Sequence, residues 1–290
     1  MRRAAHLGTG KELEMRCQVC FHGCDLEEGQ TGLCRARTNI GGRIVCTSYG
    51  KVTALALDPV SKKPLAQFHP GMNVLSAGSF GCNLSCPFCQ NHEISMADES
   101  FAARQTSPEE LAALAKRLVP QRNIGIAFTY NEPLIGWEFV RDTAALIHKE
   151  GLLNILVTNG TASPQVLEQI LPYVDAMNID LKTFDETIYR RVLGGDLQMT
   201  LDFIRRSAAA CHVELTTLIV PGISDSVEQM RREAAWIHDL EISLGKTIPL
   251  HVTRYFPAYR MEAEALPVRT IRQLAAAARE QLSAVYLGNC

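Results

Sequence analysis

From residue 71 onward, short apolar runs alternate with longer stretches whose apolar residues recur at helical spacing. Six runs read as strands: Asn73–Ala77, Ile124–Thr129, Leu153–Val157, Ala176–Asp180, His212–Val220 and Ile248–Thr253. Helices fall between them. One opens at Ser107-Pro108-Glu109-Glu110 and runs to Leu118, with Ser as N-cap, Pro in the first helical position and acids in the first turn. Others cover Gly136–Lys149, a stretch opened by Ser163-Pro164, Glu186–Val192, Thr200–Ala210 and Ser226–Leu240. Thr270–Leu282 is a last helix, and Ala284–Leu287 a short closing strand. Strands alternating with helices imply parallel βαβ units, and an unbroken apolar strand such as Leu153–Val157 fits a sheet covered on both faces. Such folds place their sites at the carboxyl ends of the strands.

The chain before residue 71 has a different texture, rich in cysteine and glycine. It turns at Gly41-Gly42. Arg43–Ser48 and Lys51–Leu57 read as strands of a hairpin turning at Tyr49-Gly50. Asp58-Pro59 and Lys63-Pro64 interrupt the pattern, and Pro70-Gly71 marks a boundary. Two units are expected, residues 1–70 and 71–290.

Composition narrows the class. The 290 residues are 47% hydrophobic and 21% charged with a net charge of −2, enough to build a full core and too balanced for disorder. The balance gives no general attraction to nucleic acid or anionic membranes. No apolar run approaches the ~18 residues of a membrane-spanning helix. Met1–Arg16 lacks the apolar stretch of a secretory signal, so the expected location is the cytoplasm. In a reducing compartment, clustered cysteines point to metal or catalysis rather than disulfides. Seven of the ten cysteines form two groups: Cys17, Cys20, Cys24 and Cys34, and then Cys82, Cys86 and Cys89. Cys46, Cys211 and Cys290 read as small packed or terminal residues.

The second group is C-x3-C-x2-C, directly after the first strand, in Phe80-Gly81-Cys82-Asn83-Leu84-Ser85-Cys86-Pro87-Phe88-Cys89. Three thiolates this close can hold one iron–sulfur cubane and leave its fourth iron open for a small chelating ligand. With a fourth ligand from elsewhere they could instead hold zinc. Spacing, the aromatic Phe88 before the last Cys and the position after a strand favour the cluster. The first group, with His22 as a substitute ligand, suits a closed tetrahedral zinc site, which is expected there ahead of the alternative, a second iron–sulfur cluster. Its segment is too small to bury a core alone, which motivates a metal staple.

The cysteine motif resembles the signature of the radical S-adenosylmethionine (SAM) superfamily, and the rest of the chain resembles its pyruvate formate-lyase activating enzyme group. A closer resemblance, from Cys17 to Asn289, is to the radical SAM member of the AmmeMemoRadiSam system. It is carried by Cys17-Gln18-Val19-Cys20, Gly29–Cys34, Asp58–Leu65, Thr129–Pro133 and Tyr286-Leu287-Gly288-Asn289. The resemblance implies an α/β fold, a partial (β/α)6 barrel behind a small metal-stapled segment and hairpin. It implies a [4Fe–4S] cluster on Cys82, Cys86 and Cys89, with SAM chelated to its open iron. An external low-potential electron donor would reduce the cluster, and SAM would be cleaved to a 5′-deoxyadenosyl radical that takes hydrogen from a substrate.

The same resemblance distributes SAM contacts. Tyr130, Asn131 and Glu132 stand where the activating enzymes carry Gly-Gly-Glu-Pro, which receives the methionine amino group. Thr158 and Asn159 stand in an Asp-Thr-Asn-Gly segment, with Val157 in place of the Asp. Asp180 and Lys182 would meet ribose and methionine, Val220 the adenine, and Phe88 and His251 the cofactor pocket. Arg254 and Tyr255 are guesses for the substrate side. No catalytic residue is assigned. The AmmeMemoRadiSam resemblance implies AmmeCR1-like and Memo-like partner proteins. Two other functions stay open: a glycyl-radical activase acting on a partner protein, and an iron–sulfur electron-transfer protein that never cleaves SAM. RNA modification would want a basic surface, and none is evident.

Overall fold

The computed structural model describes residues 15–290; the reading of the first 14 residues as lacking a secretory signal lies outside them. The described residues begin with a cysteine-bearing loop and the hairpin β1 (Arg37–Ile40) and β2 (Arg43–Cys46), antiparallel about Gly41-Gly42. Both glycines have positive φ, 64° and 75°, as a tight two-residue hairpin turn requires. The expected hairpin at Tyr49-Gly50 does not form. That dipeptide supplies only one such residue, Gly50. The chain after it divides instead. β3 (Lys51–Val52) pairs with β6 (Arg104–Gln105), and β4 (Ala54–Pro59) runs antiparallel along β5 (Asn73–Gly78).

β5 belongs to an eight-stranded sheet in the order β12-β11-β10-β9-β8-β7-β5-β4. Its other members are β7 (Asn123–Phe128), β8 (Leu153–Thr158), β9 (Ala176–Asp180), β10 (His212–Ile219), β11 (Leu250–Arg254) and β12 (Val285–Gly288). Every pairing from β5 to β12 is parallel. The six expected strands and the short closing one are all present. The crossovers carry α1 (His92–Ser95), α2 (Pro108–Arg117), α3 (Trp137–Lys149), α4 (Pro164–Ile170), α5 (Glu186–Arg191), α6 (Leu197–Ala210), α7 (Val227–Leu244) and α8 (Val268–Ala278). Ser107 caps α2 in a reciprocal box with Glu110, and Ser163 caps α4. α6 starts before the expected Thr200, because Asp196 accepts from Met199 N at 2.8 Å and caps it earlier. Among the described residues no helix is long and apolar enough to cross a membrane.

Strand residues alternate between faces. Leu75, Ile126, Leu156, Met177, Leu215 and Val252 join the main core with the helices. Val74, Ile155 and Ala176 pack with Val60 and Leu65, which belong to the segment between β4 and β5. That segment crosses the inner face of the sheet. Pro64 O accepts from Asn178 on β9 at 2.8 Å, and the amides of Ala66 and Gln67 donate to Glu214 on β10, both at 2.8 Å. Gln67 Nε2 reaches Tyr286 on β12 at 3.1 Å. The boundary expected at residue 70 therefore separates no two cores: β4 and its following segment build the inside of the sheet.

The segment ahead of β1 is likewise fastened to the main body. Val19 O accepts from Ser163 N at 2.8 Å, and Cys17 and Val19 belong to the main core. Arg37, 5% exposed, donates to both Glu138 oxygens, at 2.6 and 2.9 Å, and to Ile135 O at 2.9 Å.

Candidate functional site

The carboxyl ends of the parallel strands enclose a cavity of ≈ 270 Å³. The loop after β5 brings the three cysteines to it, and Cys82, Cys86 and Cys89 all line it. Local chemistry shapes this loop. Gly81 has φ 87°, and a Cβ there would stand 2.4 Å from Cys34 O, so only glycine fits. The Asn131 amide spans the loop's start: Oδ1 accepts from Ser79 N at 3.0 Å, and Nδ2 donates to Phe80 O and Gly81 O at 3.2 and 3.0 Å. Asn83 Nδ2 donates to Thr161 Oγ1 at 2.8 Å, and Asn83 Oδ1 accepts from Asn159 Nδ2 at 2.9 Å. Donors face the sulfurs. Leu84 N lies 3.4 Å and Asn159 Nδ2 3.8 Å from Cys82 Sγ, and Ser95 Oγ lies 3.1 Å from Cys89 Sγ. Such donors stabilise thiolates and tune a cluster's potential.

Burial pushes the Cys82 thiol far up and the Cys86 thiol to about 11, against the pull of Lys182. Both are therefore protonated in the apoprotein at neutral pH, and metal loading must release those protons. Among the described residues, no three His, Cys, Asp or Glu side chains meet as ligands of a single ion. The corner irons of a cubane take thiolates that stand further apart than ligands around one ion. The donor set of three thiols and their hydrogen-bond donors fits an iron–sulfur cluster.

Opposite the thiols lie two polar groups from later strands. Glu132, 4% exposed, clasps the loops after β7 and β8 together. It accepts from Leu134 N at 3.0 Å, Thr158 Oγ1 at 2.7 Å and Asn159 N at 2.7 Å. Burial outweighs these donors and lifts its carboxyl to about 7. After β9, Lys182 Nζ bonds Asp180 Oδ2 at 2.8 Å. Burial alone would lower this ammonium's pKa, but Asp180 and then Cys86 hold it well above the usual value, so Lys182 is a fixed cation beside the thiols.

Of the residues expected around SAM, Phe88, Tyr130, Asn131, Glu132, Thr158, Asn159, Asp180 and Lys182 line this cavity. Val220 and His251 do not. Val220 is fully buried in the main core behind β10. His251 is a strand rung below the rim, its Nε2 2.7 Å from Glu214 and its ring 5.3 Å from that of Tyr286. Arg254 donates to Leu266 O at 2.7 Å, and Tyr255 is buried with its hydroxyl on Met261 O, so neither faces the cavity. Sequence reasoning missed Thr216, Leu218, Thr253 and Asn289, which complete the wall from β10 to the chain's end. The Tyr286-Leu287-Gly288-Asn289 string was a signal for Asn289 alone, and Thr216, Leu218 and Thr253 lay inside strands read only as strands. Gly288 is bare because a Cβ would meet Thr253 Oγ1 at 2.7 Å.

Tyr130 departs from its expected role. Its backbone is left-handed, φ 75°, a conformation that glycine adopts without strain. Its hydroxyl turns from the cavity to Asp58 Oδ2 at 2.9 Å. Asp58 also receives Ser76 Oγ at 2.9 Å and Lys63 Nζ at 3.0 Å. Burial would raise the Asp58 carboxyl, but Lys63, Ser76 and Tyr130 hold it well below the usual range. Of this network only Tyr130 lines the cavity.

Residues 78–234, more than half the chain, match the model of the Radical SAM superfamily. An uncharacterised protein of Methanocaldococcus jannaschii is 35% identical over 100% of this chain and 85% of its own length. The pyruvate formate-lyase 1-activating enzyme of Escherichia coli is 25% identical over 59% of this chain and 71% of its own. A radical SAM methyltransferase structure from Sphaerobacter thermophilus shares the fold: TM-score 0.53 at 16% identity, over 76% of this chain and 67% of that one. With three cysteines at a strand-end cavity and a family match running through that cavity's walls, the chain belongs to the radical SAM superfamily, whose members bind a [4Fe–4S] cluster and SAM.

Proposed function

We propose that Cys82, Cys86 and Cys89 hold the [4Fe–4S] cluster and that the strand-end cavity binds SAM for reductive cleavage and hydrogen abstraction from a substrate. The observation that carries this reading is the convergence, in one cavity, of the three thiols, the Asp180–Lys182 pair and the Glu132–Thr158–Asn159 clasp. When bound, the cluster supplies one low-potential electron that cleaves SAM to methionine and a 5′-deoxyadenosyl radical. The protein binds and orients. Lys182 sets a fixed positive charge for the SAM carboxylate, and Asp180 accepts from hydroxyls. Glu132 has given its oxygens to Thr158, Asn159 and Leu134, so backbone carbonyls of the Thr129–Glu132 turn take the amino group. Phe88, 4% exposed, helps keep water from the thiols.

The finer placement is with the AmmeMemoRadiSam enzymes, acting with AmmeCR1-like and Memo-like partners in the cytoplasm. The likeness carried by the strings from Cys17 to Asn289 supports it. A glycyl-radical activase is the second reading, favoured by the name of the Escherichia coli relative and opposed by the Tyr130 side chain that fills the activase glycine position. An electron-transfer protein would leave the Asp180–Lys182 pair beside the thiols without use.

The test is anaerobic: reconstitute with iron and sulfide, reduce with dithionite, add SAM and quantify 5′-deoxyadenosine. The wild type yields the nucleoside, and variants with Cys82, Cys86 or Cys89 changed to Ala yield none. No SAM binding by a fully loaded, reducible protein would overturn the reading in favour of electron transfer.

A further inference from the structure

We propose that Cys17, Cys20, Cys24 and Cys34 hold a second iron–sulfur cluster, which delivers electrons to the first through the chain segment Gly81–Asn83. The inference rests on the reading above for its electron acceptor, and not for its metal.

The four thiols are gathered by a fold of the chain. Cys17 N donates to Cys24 O at 2.8 Å, and Gly23 N to Cys20 O at 3.2 Å, so the loop doubles back between them. Gly32 brings the later stretch alongside: a Cβ there would stand 3.6 Å from Cys24 Sγ. Cys17 and Cys34 are buried, and Cys20 and Cys24 are half-buried.

A structural zinc staple is the natural alternative, because a small loop rarely stands without one. This loop does not stand alone. Val19 bonds Ser163, Cys20 pairs with Ala162, Cys17 and Val19 lie in the main core, and Arg37 closes a half-buried ion pair with Glu138. These contacts fasten the segment to the main body through hydrogen bonds, apolar packing and one ion pair.

The two thiol sets meet. The Cys34 carbonyl packs on Gly81 so closely that no side chain fits between them. The carbonyl of Asn83, the residue after Cys82, lies 2.8 Å from His22 Nε2 in the loop between Cys20 and Cys24. The Asn83 side chain neighbours the Cys20 thiol and also bonds Asn159, which in turn reaches Cys82 Sγ. One residue thus touches both sets. The outer set also borders a cavity of ≈ 480 Å³, whose lining includes Cys17, Arg16, Arg43 and Trp137. The inner thiols border the SAM cavity, which substrate and SAM would fill. An electron from outside arrives at the outer set first.

The step balances simply. A low-potential one-electron carrier, dithionite in the assay, reduces the outer cluster. That cluster passes one electron to the inner one and is reoxidised, with no bond or proton changed.

The decisive protein is the full chain with Cys82, Cys86 and Cys89 changed to Ala, so that only the outer thiols remain. After anaerobic reconstitution with iron, sulfide and equimolar zinc, it is expected to keep iron and acid-labile sulfide and to give an electron paramagnetic resonance signal on reduction. Zinc without iron, or neither metal, overturns the proposal, whatever the wild type does with SAM. The converse variant, Cys17→Ser with Cys34→Ser, should lower iron from about eight per chain to about four. Its inner cluster should then be reduced more slowly by dithionite in stopped flow, with an unchanged circular dichroism spectrum. An inner cluster reduced at the wild-type rate overturns the relay. If this variant unfolds, the same rate is read in Cys20→Ser, and the triple-Ala protein decides the metal.

Discussion

Lys182 shows how much one side chain can be asked to do. It lies in a thiol-lined wall, and its Asp180 partner keeps it charged where burial would otherwise strip the proton. Replacing it by Ala removes a charge-assisted contact to the SAM carboxylate, and such contacts are worth roughly 1.5–3 kcal/mol. Lys182→Ala is expected to weaken SAM binding at least about tenfold by calorimetry, the equivalent of ~1.4 kcal/mol. Unchanged affinity would place the SAM carboxylate elsewhere. Asp180 and Lys182 were legible because an Asp closing the strand Met177-Asn178-Ile179 is a poor surface ion pair. His251 misled for the same reason in reverse: a polar residue in an apolar strand looks functional, yet it serves Glu214. Only the inner-face rung at which a side chain sits separates the two cases, and a sequence does not mark the rung.

Among the elements, helix starts were read well and strand partners poorly. Ser107, Pro108 and Glu110 act within one turn, so local chemistry announces α2. Ser107→Ala should cost about 1 kcal/mol in urea denaturation, the usual worth of an N-cap. A change within error would mean that packing alone holds the helix. The pairing of β3 with β6, from Lys51 to Gln105, is decided by distant residues that no local pattern encodes. The same holds for β4, whose short run looked like half of a hairpin and proved to be the antiparallel edge of the main sheet.

For the molecule as a whole, the segment between β4 and β5 matters most, and the sequence displayed it only as part of a resemblance. Glu214, fully buried, receives His212 at 2.9 Å and His251 at 2.7 Å in addition to the amides of Ala66 and Gln67. Burial would raise its carboxyl, but these four donors lower it from 4.5 to about 2. A carboxylate whose folded pKa is depressed contributes stability above its unfolded value, and that contribution is lost as the pH falls. Between pH 4.5 and about 2 the wild type should lose this part of its stability, and Glu214→Gln, less stable at neutral pH, should show a flatter acid limb in thermal melts. Parallel acid limbs would show that Glu214 titrates alike in both states.

That internal fastening also divides the molecule's motions. The amides of Ala66 and Gln67 sit in a connection whose regular structure is a single 3-10 turn, Val60–Lys62, yet both end on one buried carboxylate. In hydrogen–deuterium exchange they should stay protected about as long as the amides of β9 and β10, far longer than an ordinary loop. Fast exchange there would mean that the lower end of the sheet opens freely. With the lower end bolted, breathing is left to the upper rim, where the cysteine loop and residues 255–267 share the contact of Arg260 N with Pro87 O at 2.9 Å. Entry to the cavity is then left to that rim, of which the cysteine loop is one part.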